Sequence, residues 1–268
     1  MTVRRGRADL HIHSMASDGI SSTSEILDWA VERTELDVIA LTDHERIDAA
    51  VAARQMALER GLRVDVIVGE EVTTRGGHLL GLFLERRIRP WASLRDSIAM
   101  IHDQGGLAIV AHPLVPYPLC ASERSIRRLM ESGDPRVQPD GIETFNPTTA
   151  GMRWQRRVPP FVAEMGLAAV GNSDSHRAET LGQGYSTFRG SSAEDLRAAI
   201  LARDTAWHGS FYPWREQLGT FRQQLRKNAA AVRDELRGKV LRTGTGRDLG
   251  YPGGRRRPAR YDPADEVR

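Results

Sequence analysis

The 268-residue sequence is short of cysteine, lysine and aromatic residues. A single thiol, Cys120, cannot close an internal disulfide, so a reducing, cytoplasmic setting is expected. No run of about 18 apolar residues occurs, so neither a membrane-spanning helix nor a membrane partner is expected. Met1–Leu10 is basic and has no apolar stretch, so it does not read as a secretory leader. Glycine and proline are too few for a low-complexity chain. The only two lysines, Lys227 and Lys239, lie near the C-terminus, which leaves the body with none.

With 40% hydrophobic residues there is material for a sizeable core. The net charge of +3 hides an asymmetry: residues 222–268 carry a surplus of basic groups, and the remainder is mildly acidic. That argues against a nucleic-acid surface spread over the whole protein.

Apolar periodicity predicts alternating strands and helices. Strands are expected at 8–14, 38–42, 64–72, 77–83, 107–111, 141–145 and 168–171. Helices are expected at 24–36 (capped by Ser24 or Thr23), 47–60, 91–104, 123–132, 152–165 and 193–202, the last with a capping box at Ser192. Such alternation predicts a parallel sheet covered on both faces, and a closed α/β barrel fits because the polar motifs gather at strand ends. Trp214–Leu241 reads as an amphipathic helix, and 242–268, with Arg255, Arg256 and Arg257, as a disordered basic tail.

Of eight histidines, six stand at strand ends: His11, His13, His44, His78, His112 and His176. His102 and His208 are read as surface or packing residues. Period-2 geometry puts Asp9, His11 and His13 on one face. Asp18 follows in a Ser-Asp-Gly turn expected to be mobile, and Asp43 is as readily a helix cap as a site residue. Glu70 and Glu71 face opposite ways on their strand, and spacing alone does not choose between them. Asp174 and His176 share a face. Six imidazoles with carboxylates suit a polynuclear centre of Mn, Zn or Fe.

The ordered set Asp9, His11 and His13; Asp18 and Gly19; Thr42, Asp43 and His44; Glu71; His78; Ala111, His112 and Pro113; and Asn172, Asp174 and His176 resembles the PHP (polymerase and histidinol phosphatase) family. The resemblance covers about residues 8–210. It implies a distorted (β/α)7 barrel over 1–212, with two or three divalent ions at its mouth. Carried over by position, one ion would take His11, His13, Glu71 and Asp174. A second would share Glu71 and take His78 and His112. A third would take Asp18, His44 and His176. The resemblance also picks Glu71 over Glu70, because the family's glutamate stands two residues after the strand-end glycine.

Closely spaced divalent ions suit in-line displacement at phosphorus, with a metal-bound hydroxide as nucleophile. A phosphoesterase acting on a nucleotide or another small phosphorylated metabolite is therefore expected, with Asp174, His176 and Arg177 in catalytic roles. Arg177 is equally readable as an exposed turn residue. No serine, nor Cys120, has the base-and-orienter setting of a nucleophile. The lysine-bridged amidohydrolase barrel is not available to a body without lysine. Two alternatives stay open: an exonuclease on short oligonucleotides aided by the basic tail, and a non-catalytic PHP scaffold. The filled ligand positions favour catalysis, and nucleic acid is the less favoured partner.

Overall fold

The computed structural model describes residues 4–212. The helix expected over Trp214–Leu241 and the tail at 242–268 lie outside the described residues. The elements run β1 (Arg5–Ile12), α1 (Thr23–Arg33), β2 (Val38–Leu41), α2 (Asp48–Glu59), β3 (Asp65–Thr74), β4 (Gly77–Leu82), α3 (Leu94–His102), β5 (Leu107–Val110) and α4 (Glu123–Glu131). They continue β6 (Gly141–Phe145), α5 (Thr149–Trp154), α6 (Val158–Met165), β7 (Ala168–Gly171), β8 (Gly184–Arg189), α7 (Ala193–Ala202) and β9 (Ala206–Gly209).

One nine-stranded sheet has the order β7-β6-β5-β4-β3-β2-β1-β8-β9. It curls until β7 meets β8 and β9. Ser186 Oγ bonds both the N–H and the carbonyl of Gly171 at 3.0 Å, and Phe145 stacks on Trp207 at 5.6 Å. The result is a nearly closed barrel, as the resemblance implied. The sheet is mixed rather than parallel: β1–β2–β3 and β5–β6–β7 are parallel runs, but β4 is antiparallel to both its neighbours and β8 to β1. A two-residue turn joins β3 to β4, too short for the crossover a parallel pair needs.

Strands β8 and β9 are absent from the sequence-based reading. In Gly184–Arg189 buried and part-buried residues alternate, with Ser186 and Phe188 inward, so one face stays polar as antiparallel strands allow. The α1 cap is Ser22, one position before the expected choices, in a capping box with Glu25. The box expected at Ser192 is present with Asp195. The single helix expected over 152–165 is broken. A 3-10 turn at Gln155–Arg157 separates α5 from α6, and Pro159 falls in the first turn of α6, where its missing N–H costs little.

Two apolar clusters follow from strand alternation. Ile39, Leu41, Val68 and Val110 pack outward against helix residues such as Ile26, Leu27 and Ile98. Val38, Ala40, Ile67, Leu80, Ile109, Val170 and Phe188 fill the barrel, and Leu196 and Ile200 of α7 join them. Helix α7 covers the base, where Ala193 N–H meets Asp65 and Arg197 meets the Gly105 carbonyl. The opposite end carries the histidines.

Candidate metal centre

Each inward-facing row changes chemistry as it reaches the mouth. On β2 the row Val38–Ala40 continues through Thr42 to His44; on β3, Ile67 and Gly69 lead to Glu71; past β7, Val170 leads through Asn172 to Asp174. His78 reaches the same end from the start of β4, because that strand runs antiparallel. On β1 the register against β2 shifts between Asp9 and Ile12. His11 and His13 both enter the cluster. Asp9 does not accompany them, contrary to the simple alternation. Its carboxylate takes the Ser173 and Gly182 N–H groups at 2.9 Å, and burial pushes it up to about 6.

His112 is reached by a different device, and Asp174 shares its unusual backbone. Their φ angles are +27° and +49°, left-handed values rare for residues with a Cβ. Ala111 belongs to the inner cluster, so plain alternation would send His112 outward. The left-handed turn returns its ring to the mouth.

The nine residues His11, His13, Asp18, His44, Glu71, His78, His112, Asp174 and His176 form four overlapping groups, each with ligand atoms within 4.8 Å of one another. Glu71 is at the centre. Its Oε2 lies 3.1, 3.2 and 3.4 Å from Nε2 of His11, His13 and His44, and its Oε1 lies 2.6 Å from His78 Nδ1 and 3.0 Å from His112 Nε2. Asp174 Oδ1 stands 3.5 and 3.4 Å from His11 and His13 Nε2. Asp18 bridges His13 Nδ1 at 3.3 Å and His176 Nε2 at 3.0 Å. His44 lies closer to Glu71 than to Asp18, which is 3.9 Å away, so geometry draws the third group around His13, Asp18 and His176.

Burial alone would favour neutral groups here, but mutual attraction reverses that for most of them. Burial opposes charge on His11, His13 and His112. The facing carboxylates, with the Cys120 thiol at His112, outweigh it and hold these rings above the usual value, His13 at about 10. Glu71 and Asp174 are likewise buried, yet the imidazoles hold both well below the carboxylate range. His44 goes the other way, lowered first by burial.

The donor set fits divalent ions on an observation of its own. His13 is buried, and neither ring nitrogen makes a hydrogen bond of sound geometry; His78 Nδ1 is in the same state. Orphaned buried nitrogens cost about 1–3 kcal/mol each unless something satisfies them. These point among carboxylate oxygens, and imidazole with carboxylate is the ligand chemistry of Zn, Mn and Fe. Ions binding here would displace protons from the raised imidazoles.

The other sequence-based candidates fall as follows. Arg177 Nε faces Glu179 at 3.4 Å, and no ligand residue is among its contacts. Glu70, on the outer face of β3, accepts the Ile88 N–H at 2.7 Å, and burial pushes it up to about 8. Asp43 caps no helix. It accepts from Ser14 N–H at 2.8 Å and from the Ser14 and Ser17 hydroxyls, pinning the loop that carries Asp18. Ile20 N–H bonds the His176 carbonyl at 2.8 Å, and a Cβ on Gly19 would lie 2.3 Å from the His13 carbonyl. The turn expected to be mobile is tied down. His102 bonds Arg136 and Asp140 away from the cluster, and His208 is exposed.

Sequence reasoning missed three neighbours of the candidate ligands. Cys120 Sγ is 3.3 Å from His112 Nδ1. Asn146 Nδ2 touches Asp174 Oδ2 at 3.1 Å. Glu143 Oε1 is 2.9 Å from His11 Nδ1. A carboxylate inside the otherwise uncharged strand Gly141–Phe145 was the signal available, since such a group is buried only with partners.

A PHP-domain family model matches residues 9–132, and a PHP-associated model matches 153–205. An uncharacterized protein of Methanocaldococcus jannaschii is 32% identical over 52% of this chain and 81% of its own length. A 5'-3' exoribonuclease of Haemophilus influenzae is 31% identical over 38% of this chain, and the match spans 37% of that enzyme. A 3',5'-nucleoside bisphosphate phosphatase of Chromobacterium violaceum is 35% identical over 29% of this chain and 27% of its own. A solved two-domain protein of Bacteroides vulgatus, described as containing a predicted PHP-like metal-dependent phosphoesterase, superposes with a TM-score of 0.64 at 21% identity over 78% of this chain and 66% of its own. No described helix is long and apolar enough to cross a membrane. The chain belongs to the PHP family.

Proposed function

We propose that this chain is a metal-dependent phosphoesterase that hydrolyses a nucleotide or another small phosphorylated metabolite. The observation that carries the reading is Glu71, a buried carboxylate shared by five imidazoles, while neither His13 nitrogen makes a hydrogen bond of sound geometry. Two or three ions of Mn, Zn or Fe fit the groups His11–His13–Asp174, Glu71–His78–His112 and His13–Asp18–His176, with His44 beside Glu71 and His13. Such ions supply Lewis acidity toward phosphoryl oxygens and ionised water near neutral pH.

The chain's own residues do the positioning. Glu71 and His11 are buried and hold the floor of the site. Side chains of His44, Asp18 and His176 are part-exposed, at 30%, 32% and 17%, and mark the side from which substrate enters. Asp174 and His176 combine ligand atoms with access to that side, so they would stand beside the reacting phosphoryl group. Arg177 would reach a phosphate only by leaving Glu179.

A second reading, removal of nucleotides from an oligonucleotide end, is favoured by the exoribonuclease relative. The stretch between His112 and Asp174 forms α4, β6, α5, α6 and β7 with short 3-10 turns, and no inserted cap domain among the described residues. One experiment tests both. Protein purified without chelator is assayed for Mn, Fe and Zn. The Mn2+-loaded form is then offered nucleoside mono- and bisphosphates, histidinol phosphate, cyclic phosphates and short oligonucleotides. Two to three metal equivalents and chelator-sensitive phosphate release are expected. Undiminished hydrolysis by metal-free protein, or no turnover of any substrate, would overturn the proposal.

A further inference from the structure

Glu143 sits on β6, 1% exposed, and three of its four contacts are N–H donors, the fourth being a His11 ring nitrogen. Oε1 faces His11 Nδ1 at 2.9 Å and Asn172 Nδ2 at 3.0 Å. Oε2 faces the His112 N–H at 2.7 Å and Asn146 Nδ2 at 3.0 Å. Neither amide is free to turn round. Asn172 Oδ1 is engaged by the Leu10 N–H at 3.1 Å, and Asn146 Oδ1 by the Thr148 N–H at 3.0 Å. Each amide must therefore present its NH2 to Glu143.

We infer that Glu143 is a positioning residue that locks His11 in its Nδ1–H tautomer and holds His112 through its main chain, so that Nε2 of both rings is presented to a cation. The inference rests on the metal-centre reading above. The chemistry runs in one direction. An ionised carboxylate only accepts, so the His11 nitrogen facing it carries the proton. In the neutral ring the other nitrogen then has a lone pair, and that Nε2 points at Glu71 and Asp174. At His112 the same carboxylate grips the peptide N–H of a residue at φ +27°, where the backbone needs an external hold to keep the ring turned inward. Through Asn146 Nδ2, which also touches Asp174 Oδ2, the carboxylate is linked to a third ligand. One side chain thus sets ligands that follow three different strands.

Glutamine cannot replace it quietly. Whichever way its amide turns, an NH2 confronts at least one fixed donor, Asn172 on one side or the His112 N–H and Asn146 on the other. Facing His11, that NH2 would favour the Nε2–H tautomer, which removes the ligand lone pair.

The test uses Zn2+ as probe on the full chain. Nitrogen-detected histidine NMR of the metal-free wild type at a pH where the ring is neutral, with the His11 signal identified by its loss in His11→Ala, should show the Nδ1–H form. Calorimetric Zn2+ titration of Glu143→Gln should show affinity about 10–100-fold weaker than wild type. In a His11→Ala background the same change should cost at least about threefold less affinity than it does in the wild type, because one of the groups it acts through is gone. An Nε2–H tautomer in the wild type, unchanged Zn2+ affinity in Glu143→Gln, or fully additive losses would each overturn the assignment. If Glu143→Gln does not fold, shown by its metal-free melting curve, the wild-type tautomer decides alone. Wild-type protein that takes up no Zn2+ defeats the metal-centre reading itself, an outcome distinct from Zn2+ uptake that ignores Glu143.

Discussion

The base and the mouth of the barrel are lined by the same strands on the same face, yet they are held together by different physics. At the base, Val38, Ile67, Leu80, Ile109, Val170 and Phe188 exclude water and α7 caps the end. Each large side chain buried there contributes roughly 1.5–3 kcal/mol. At the mouth the inward residues become His44, Glu71, His78, Glu143 and Asp174, and burial now works against them. They persist because each charge is shared: one Glu71 carboxylate meets five imidazoles. The base can lose a residue and keep its chemistry. The mouth loses a partner for several groups at once.

The sharpest break in that comparison is Glu71→Gln. It should abolish turnover, by about a thousandfold or more, and strip metal from the protein, because an amide cannot bridge imidazole-bound cations. Elemental analysis with a phosphate-release assay checks it. Intact metal content would show that Glu71 is no bridge.

Phe188→Ala strikes the base instead. Phe188 is wholly buried, so the cavity should cost about 3–5 kcal/mol, read as a lowered urea midpoint. Metal content per folded molecule should stay the same. A loss of metal with little loss of stability would mean that the two ends are not separable.

Asp18→Ala should be milder than Glu71→Gln. Asp18 is the most exposed of the three ligand carboxylates and joins only the outer group. Activity should fall by about 10–100-fold, with two metal equivalents retained and the melting curve intact. Full activity and full metal count would reduce Asp18 to a turn residue.

The smallest effect separates two neighbours on one strand. Glu70 is buried on the outer face, and its carboxyl is pushed up to about 8. Between pH about 4.5 and about 8 the unfolded chain loses this proton while the folded one keeps it, so the group erodes stability as pH rises and levels off above that range. Glu70→Gln keeps an acceptor for the Ile88 N–H and removes the charge. Its melting point should match wild type near pH 4.5 and exceed it by several degrees, on the order of 5 °C, near pH 8. Metal content and turnover should not change. An equal effect at both pH values would contradict the titration.

These pairs show what was legible beforehand. Glu70 and Glu71 could be placed on opposite faces by period alone, but nothing in the spacing said which face was the inside. The resemblance chose Glu71, and the register of β3 against β2 and β4 puts it beside the histidines. Asp9 was misplaced because a register shift on β1 breaks the alternation that grouped it with His11 and His13. Strands β8 and β9 escaped notice because half-polar antiparallel strands look like loops to a reading tuned to buried parallel ones.

The sequence alone determined the inventory of candidate ligands, the alternation of strands and helices, and the lack of any lysine before Lys227, because residue type and apolar period are local properties. Tertiary structure decided the rest. Antiparallel pairing of β4 brings the start of that strand, and so His78, to the mouth. A left-handed turn at His112 aims a side chain that alternation would have sent outward. Glu143 meets His11 across 132 positions of sequence. Such contacts depend on how the sheet closes, and closure is a property of the whole barrel that no local stretch carries.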